Sequence, residues 1–223
     1  MTKTIFTLNI DNYSSEITKM TYPFIEQYAR KIGATMTIIT GRKYDKYPIP
    51  YEKFQIYDSQ ADWNIYIDSD ALIHPDMFDV TELLPEDTVM TCRSEFAPIH
   101  FTYDRFFKRD GRHIYAGNWF TVASKLCIDL WHPLDDMTLV AAVKNIHPTL
   151  IERNMNVTPA HLLDDYVLSR NIAKYGLKYT TFVDLLQKNG NPGEFLFHEY
   201  AYTESDKIKM LHKILNRWRG LPS

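Results

Sequence analysis

The chain reads as an α/β protein, with a Rossmann-like, mainly parallel central sheet flanked by helices and an α+β second half. Three observations predict this. Short apolar runs of strand length alternate with amphipathic stretches of helical period as far as Ile67. At 223 residues and 45% hydrophobic composition, the chain can bury a sizeable core within one domain. No internal repeat or low-complexity linker divides it.

Each element follows in order. Thr4 to Ile10 (TIFTLNI) is an apolar strand followed by a turn-like DNYSS. Ser15 to Ile32 carries Ile17, Met20, Phe24, Ile25, Tyr28 and Ile32 at helical spacing, and Gly33 is its stop. ATMTIIT is a second strand. After the proline-bearing loop GRKYDKYPIP, Glu52 to Gln60 reads as a helix and Ile65 to Ile67 as a third strand. Further on, Thr88 to Cys92 and Ile114 to Ala123 read as strands. Lys125 to Trp131, Thr138 to Asn154 and Leu162 to Tyr175 read as helices. Lys178 to Val183 and Phe195 to Phe197 are short strands around the turn-rich QKNGNPG, and Ser205 to Arg219 is a closing amphipathic helix.

The composition narrows the function. Aromatics at 14% exclude a disordered or fibrous class, and a formal charge of −3 provides no basic field, so nucleic acid is not an expected partner. Cys92 and Cys127 form no CxxC pair, which argues against a disulfide scaffold or a zinc–thiolate site and for a reducing compartment. MTKTIFTLNI is a strand candidate rather than a signal peptide, and no apolar run reaches membrane-spanning length, so a cytoplasmic location is expected.

The chemistry concentrates in WNIYIDSDALIHPD, Trp63 to Asp76. Asp68 and Asp70 flank Ser69 where a core strand ends. In open α/β sheets the ligand crevice lies beyond the carboxyl ends of the strands. Residues at i and i+2 of an extended segment point the same way, so both carboxylates can face one hard divalent ion, Mn²⁺ or Mg²⁺, which in turn binds phosphate oxygens. The bland alternative is a solvated acidic turn; apolar residues on both sides of the pair weigh against it.

YEKFQIYDSQADWNIYIDSDALIHPDMFDVTELLP resembles the central segment of nucleotide-sugar glycosyltransferases with the GT-A fold. The likeness is to the glycogenin and bacterial galactosyltransferase type and to the galactosyltransferases of yeast and plants. In that family the DxD holds a divalent metal that bridges the donor diphosphate. The resemblance implies a single GT-A-like domain, with residues 1–92 as the nucleotide-sugar half, 93–204 as the acceptor and catalytic half, and 205–219 as a C-terminal helix. IDNY (Ile10, Asp11, Asn12, Tyr13) resembles the base-holding segment, where an aromatic stacks on uracil and a neighbouring polar group reads its edge. Lys53 resembles a basic position near the donor's phosphate or sugar. YAGNWF resembles the family's NAGV-type segment, with Gly117 letting a sugar approach the backbone; Tyr115 replaces the leading asparagine, and Asn118 is a substitute for it.

Asp164 and Asp165, in LLDDYVLSRNI, resemble the DQD-type segment near the reacting sugar carbon. The family has an amide where this chain has Asp165, so Asp165 is the candidate catalytic carboxylate and Asp164 the residue orienting the sugar. The competing reading is a pair of first-turn acids favoured by the helix dipole. His198 in FLFHEY resembles the histidine that supplies the metal's third protein ligand. The family's HxxGxxKPW ending is not matched, and Lys207 lies three residues too far along.

In the last helix, Ile208, Leu211, Ile214, Leu215 and Trp218 share one face, with Lys207, Lys209, Lys213, Arg217 and Arg219 around the rest. Docking on its own domain is the primary reading, and a weak contact with an anionic membrane surface is the alternative. The expected function is metal-dependent transfer of a sugar from a UDP-sugar to a saccharide or other hydroxyl acceptor. A non-catalytic nucleotide-sugar binding module is the rival. A phosphatase of the haloacid dehalogenase type is disfavoured, because Ala71-Leu72 stands where that family continues Gly-Thr.

Overall fold

Trp63–Ile67 (β3) is buried at all five positions, as an uninterrupted apolar run requires of a strand covered on both faces. It is the centre of a computed structural model that describes residues 1–93, 114, 116–148, 150–154, 156–190, 193–198 and 203–220. Beside it lie Lys3–Leu8 (β1), Thr35–Ile39 (β2), Thr88–Arg93 (β5), Ala116–Ser124 (β6) and Lys178–Thr181 (β7). They form one six-stranded sheet in the order β2-β1-β3-β6-β5-β7. β1 is parallel to β2 and β3, and β5 is parallel to β7, while β6 runs antiparallel to both β3 and β5. Only β6 therefore opposes the common direction. Leu72–Ile73 (β4) and Leu196–Phe197 (β8) form a separate antiparallel pair.

The alternation along β1 and β3 builds two cores. Ile5, Trp63, Ile65 and Ile67 face the helix Ser15–Ile32 (α1), through Ile25, Tyr28, Ala29 and Ile32. On the other side Tyr66 meets Tyr51, Phe54, Trp131 and the helix Leu163–Tyr175 (α4). The sheet is thus covered on both faces, the doubly covered α/β arrangement expected.

α1 has the bounds its periodicity predicts and ends at Gly33 with φ 67°, a left-handed value that suits glycine. Several predicted elements take other forms. The expected helix Glu52 to Gln60 is a 3-10 run, Ile49–Asp58. Three residues per turn align Tyr51 with Phe54 and Lys53 with Ile56, and all four are buried. Lys125–Trp131 is likewise 3-10. The single helix expected over Thr138 to Asn154 is two short ones, Leu139–Lys144 (α2) and Leu150–Asn154 (α3). Pro148 lies between them; it lacks an N–H and disfavours helical backbone in the residue before it. The strand expected over Lys178 to Val183 stops at Thr181, whose hydroxyl accepts the Asp184 N–H at 3.1 Å and caps the helix Phe182–Lys188 (α5).

Glu204–Trp218 (α6) docks as its pattern indicates. Leu211, Ile214 and Leu215 are buried with Ile17 of α1 and Leu72 of β4. That apolar face is covered by the protein itself. No helix among the described residues is long and apolar enough to cross a membrane.

Candidate active site

β1 and β3 lie side by side in parallel, so the segments that follow them leave the sheet at the same edge. β1 leads into Ile10, Asp11, Asn12 and Tyr13; β3 leads into Asp68, Ser69 and Asp70. This is the carboxyl-end crevice of an open α/β sheet.

The two acids converge by a turn rather than along an extended strand. β3 ends at Ile67, and the Ala71 N–H donates to the Asp68 carbonyl at 3.0 Å, closing a tight turn over Ser69 and Asp70. Thr21 of α1 fixes the turn from behind, its hydroxyl donating to the buried Ser69 carbonyl at 2.5 Å. Asp68 takes a hydrogen bond from the Tyr66 hydroxyl at 2.5 Å.

His198 follows β8, which pairs with β4 just beyond the acidic turn, and this ladder brings the imidazole back to the acids. Its Nε2 lies 3.2 Å from Asp70 Oδ1 and 3.6 Å from Asp68 Oδ2. Among the described residues, Asp68, Asp70 and His198 are a group whose ligand atoms all lie within 4.8 Å of one another. Two donors at right angles on an ion of Mg²⁺ size sit about 3 Å apart, so the donor set fits a hard divalent cation in both spacing and chemistry. A cation already faces one of these acids, because the Lys207 ammonium pairs with Asp70 Oδ2. Burial alone would raise the Asp70 pKa; His198 and then Lys207 outweigh it and hold the carboxyl far below its ordinary value. Burial pulls His198 and Lys207 down, and Asp70 more than offsets that, raising both.

Lys207 is the residue that sequence reasoning set aside. Counting from His198 put it out of register with the family's C-terminal lysine. α6 begins at Glu204, however, so its first turn stands over the acids, held there by Ser14 Oγ donating to Glu204 Oε1 at 2.7 Å. Linear spacing carried no signal of this.

Lys53 is fully buried, with its ammonium 2.7 Å from Asp164 Oδ2, 3.8 Å from Asp68 Oδ1 and 4.4 Å from the centre of the Tyr66 ring. Burial lowers its pKa, but Asp164 and then Asp68 prevail and raise it, so the lysine stays charged. It ties the β3 turn to the start of α4. Asp164 is buried in that pair, which makes it an anchored group. Asp165 is different: it is half-buried, its carboxyl takes a hydrogen bond from the Asn118 backbone, and among the described residues its Oδ1 has no hydrogen-bond partner. Burial first, then the Asp164 charge, push its pKa well above the carboxylate range, against Lys53.

Around this centre, Ile10 is buried beneath its turn, whereas Asp11, Asn12 and Tyr13 are exposed. Asp11, Asn12 and Ser14 all have left-handed backbone, with φ of 55°, 54° and 41°. Such values cost about 1–2 kcal/mol per ordinary residue and cluster at functional turns. Tyr13 is 47% exposed, and the partial covering of its hydroxyl raises its pKa against Lys207, with Asp70 and Asp68 also raising it, so the ring lies within electrostatic reach of the acids. Gly117 and Asn118 open β6; Tyr115 lies outside the described residues. The register with β5 jumps from Thr91↔Thr121 to Cys92↔Gly117, which leaves Asn118, Trp119 and Phe120 unmatched on that side. On its other side β6 keeps its register with β3, and Trp119 is the next rung after Ile67↔Phe120: its carbonyl accepts the Asp68 N–H at 2.8 Å, and its ring stacks on His198.

A mainly parallel α/β sheet with two acids and a histidine at its carboxyl edge is an arrangement that could hold a divalent cation. Comparison with solved structures is more particular. The chain matches the crystal structure of a glycosyltransferase involved in the glycosylation of the major capsid of PBCV-1, with a TM-score of 0.54. The match covers 96% of this chain and 100% of that one at 11% identity, and it shows a shared fold. No family model matches the chain, and no curated protein sequence does.

Proposed function

We propose that this chain is a metal-dependent glycosyltransferase that moves a sugar from a nucleoside diphosphate, UDP in the first instance, to an acceptor hydroxyl. The observation that carries the reading is the Asp68–Asp70–His198 cluster at the carboxyl edge of a glycosyltransferase fold. A bound Mn²⁺ or Mg²⁺ would neutralise charge that grows on the departing diphosphate. Asp70 and His198 would hold the ion, with Asp68 beside them. Lys207, already poised over Asp70, adds a second positive charge at the leaving-group side. Residues 1–92 supply the nucleotide pocket, with Tyr13 against the base and Asp11 or Asn12 at its edge. Residues 93–204 supply the acceptor side, and Gly117 and Asn118 approach the sugar. α6 covers the donor.

The two adjacent acids divide the remaining work. Asp164 is neutralised by Lys53 and orients the sugar. Asp165 keeps a free oxygen and a raised proton affinity, which suits a carboxylate that takes a proton or attacks carbon.

Thermal shift with a panel of nucleoside diphosphates and nucleotide sugars, with and without Mn²⁺, tests the reading. UDP or a UDP-sugar should stabilise the protein only with the ion, and Asp70→Ala should abolish both that shift and transfer while leaving the fold intact. Mn²⁺-dependent UDP affinity that is unchanged in Asp70→Ala would refute the site. Stabilisation without release of UDP, with water or sugars as acceptor, would leave a binding module in place of an enzyme.

A further inference from the structure

Trp119 touches both sides of the cation cluster. Its carbonyl fixes the Asp68 backbone through the 2.8 Å bond, and its indole lies on the His198 imidazole with ring centres 5.1 Å apart and planes 12° from parallel. These contacts serve different needs. Asp68 belongs to a turn already closed by its own hydrogen bond and backed by Thr21. His198 follows a strand of only two residues, which restrains its backbone but not its ring. The imidazole torsion is a broad sp³–sp² rotation, so the ring plane needs an external restraint. Metal-binding histidines usually obtain one from a hydrogen bond at the other ring nitrogen. Among the described residues, none engages His198 Nδ1.

We infer that Trp119 is a positioning residue for the cation, its indole face holding the His198 ring so that Nε2 faces Asp68 and Asp70; this rests on reading that cluster as the cation site. Rotating the imidazole out of the stack would carry Nε2 away from Asp70 Oδ1, 3.2 Å off, and Asp68 Oδ2, 3.6 Å off. The β3–β6 ladder supplies the means. It runs unbroken to Ile67↔Phe120, and its next rung sets Trp119 opposite Asp68, at the acidic turn itself.

The test is Mn²⁺ affinity of the full-length, metal-stripped protein, read from the electron paramagnetic resonance signal of the free ion. Trp119→Leu should weaken binding about tenfold or more, the scale for removing a group that orients a metal ligand. Trp119→Phe, which keeps an aromatic face, should retain most of the affinity. The double variant Trp119→Leu/His198→Ala should bind no more weakly than His198→Ala alone, because the tryptophan acts through the histidine. Wild-type affinity in Trp119→Leu alongside a loss in His198→Ala overturns the positioning role and leaves the cation site standing, as do fully additive losses in the double variant. Absence of Mn²⁺ binding by the wild type overturns both. A readout without metal accompanies these: the His198 Hε1 proton should be ring-current shifted in the wild type and move downfield in Trp119→Leu. An unmoved resonance contradicts the stack.

Discussion

At the scale of single residues, the adjacent acids Asp164 and Asp165 show how one step along a helix separates two environments. The sequence marks both as candidates. Burial and pairing with Lys53, 111 positions away, distinguish them, and no local pattern contains that information. Asp165→Asn should cut turnover at least about a hundredfold, the lower end of general-base effects, with donor affinity little changed. It should also stabilise the fold. A carboxyl whose pKa is raised on folding contributes stability that is complete below its unfolded pKa, about 3.9, and lost as pH rises through the folded value. The gap in melting temperature between Asp165→Asn and the wild type should therefore open above about pH 4 and widen toward neutrality. A variant less stable than the wild type at pH 7 would contradict the raised pKa, and one with near-normal turnover would contradict the proposed catalytic role. Tyr13→Ala should weaken Mn²⁺-dependent UDP binding by about 1–3 kcal/mol, the scale of base–aromatic stacking, measurable by calorimetry. The acidic turn after β3 was legible because carboxylates at the end of an apolar strand carry their own signal. The placement of Lys207 and Trp119 beside it was not, since each meets the turn from a position distant in the chain.

At the scale of elements, periodicity located α1 and α6 well because each buries one apolar stripe against the rest of the molecule. It failed where backbone chemistry overrides pattern. Pro148 divides an amphipathic stretch into α2 and α3, and Thr181 with Asp184 starts a helix inside an apolar run that reads as strand. The register jump in β6 was also hidden, since a bulge is a relation between two strands. α6 carries the next prediction. Leu211 is 2% exposed among Ile17, Leu72, Ile214 and Leu215, so Leu211→Ala should cost about 2–5 kcal/mol. Urea unfolding would measure it. A loss below 1 kcal/mol would mean that this face is only loosely seated. Because Lys207 and Glu204 lie on the first turn of the same helix, the variant should also lower UDP affinity, although Leu211 does not face the acids.

At the scale of the whole molecule, the fold class was legible because alternating strands and helices leave few topologies open, whereas the antiparallel insertion of β6 between β3 and β5 was not. On the proposed function, stability and ligand binding are linked at one crevice. Mn²⁺ and UDP together, at about a hundred times their dissociation constant, should add about 2.7 kcal/mol to the folded state, and differential scanning calorimetry should show the melting temperature rise by about 5–10 °C. The same ligands should leave Asp70→Ala unmoved. The pairing of β4 with β8 has a consequence for synthesis. Asp70 and Lys207 are 137 positions apart, and Ser14 and Glu204 are 190 apart. A nascent chain released before Leu196 would carry both acids and all six strands of the central sheet but neither the imidazole nor the ammonium. On the proposed function, the cation site is therefore complete only in a chain that extends through α6.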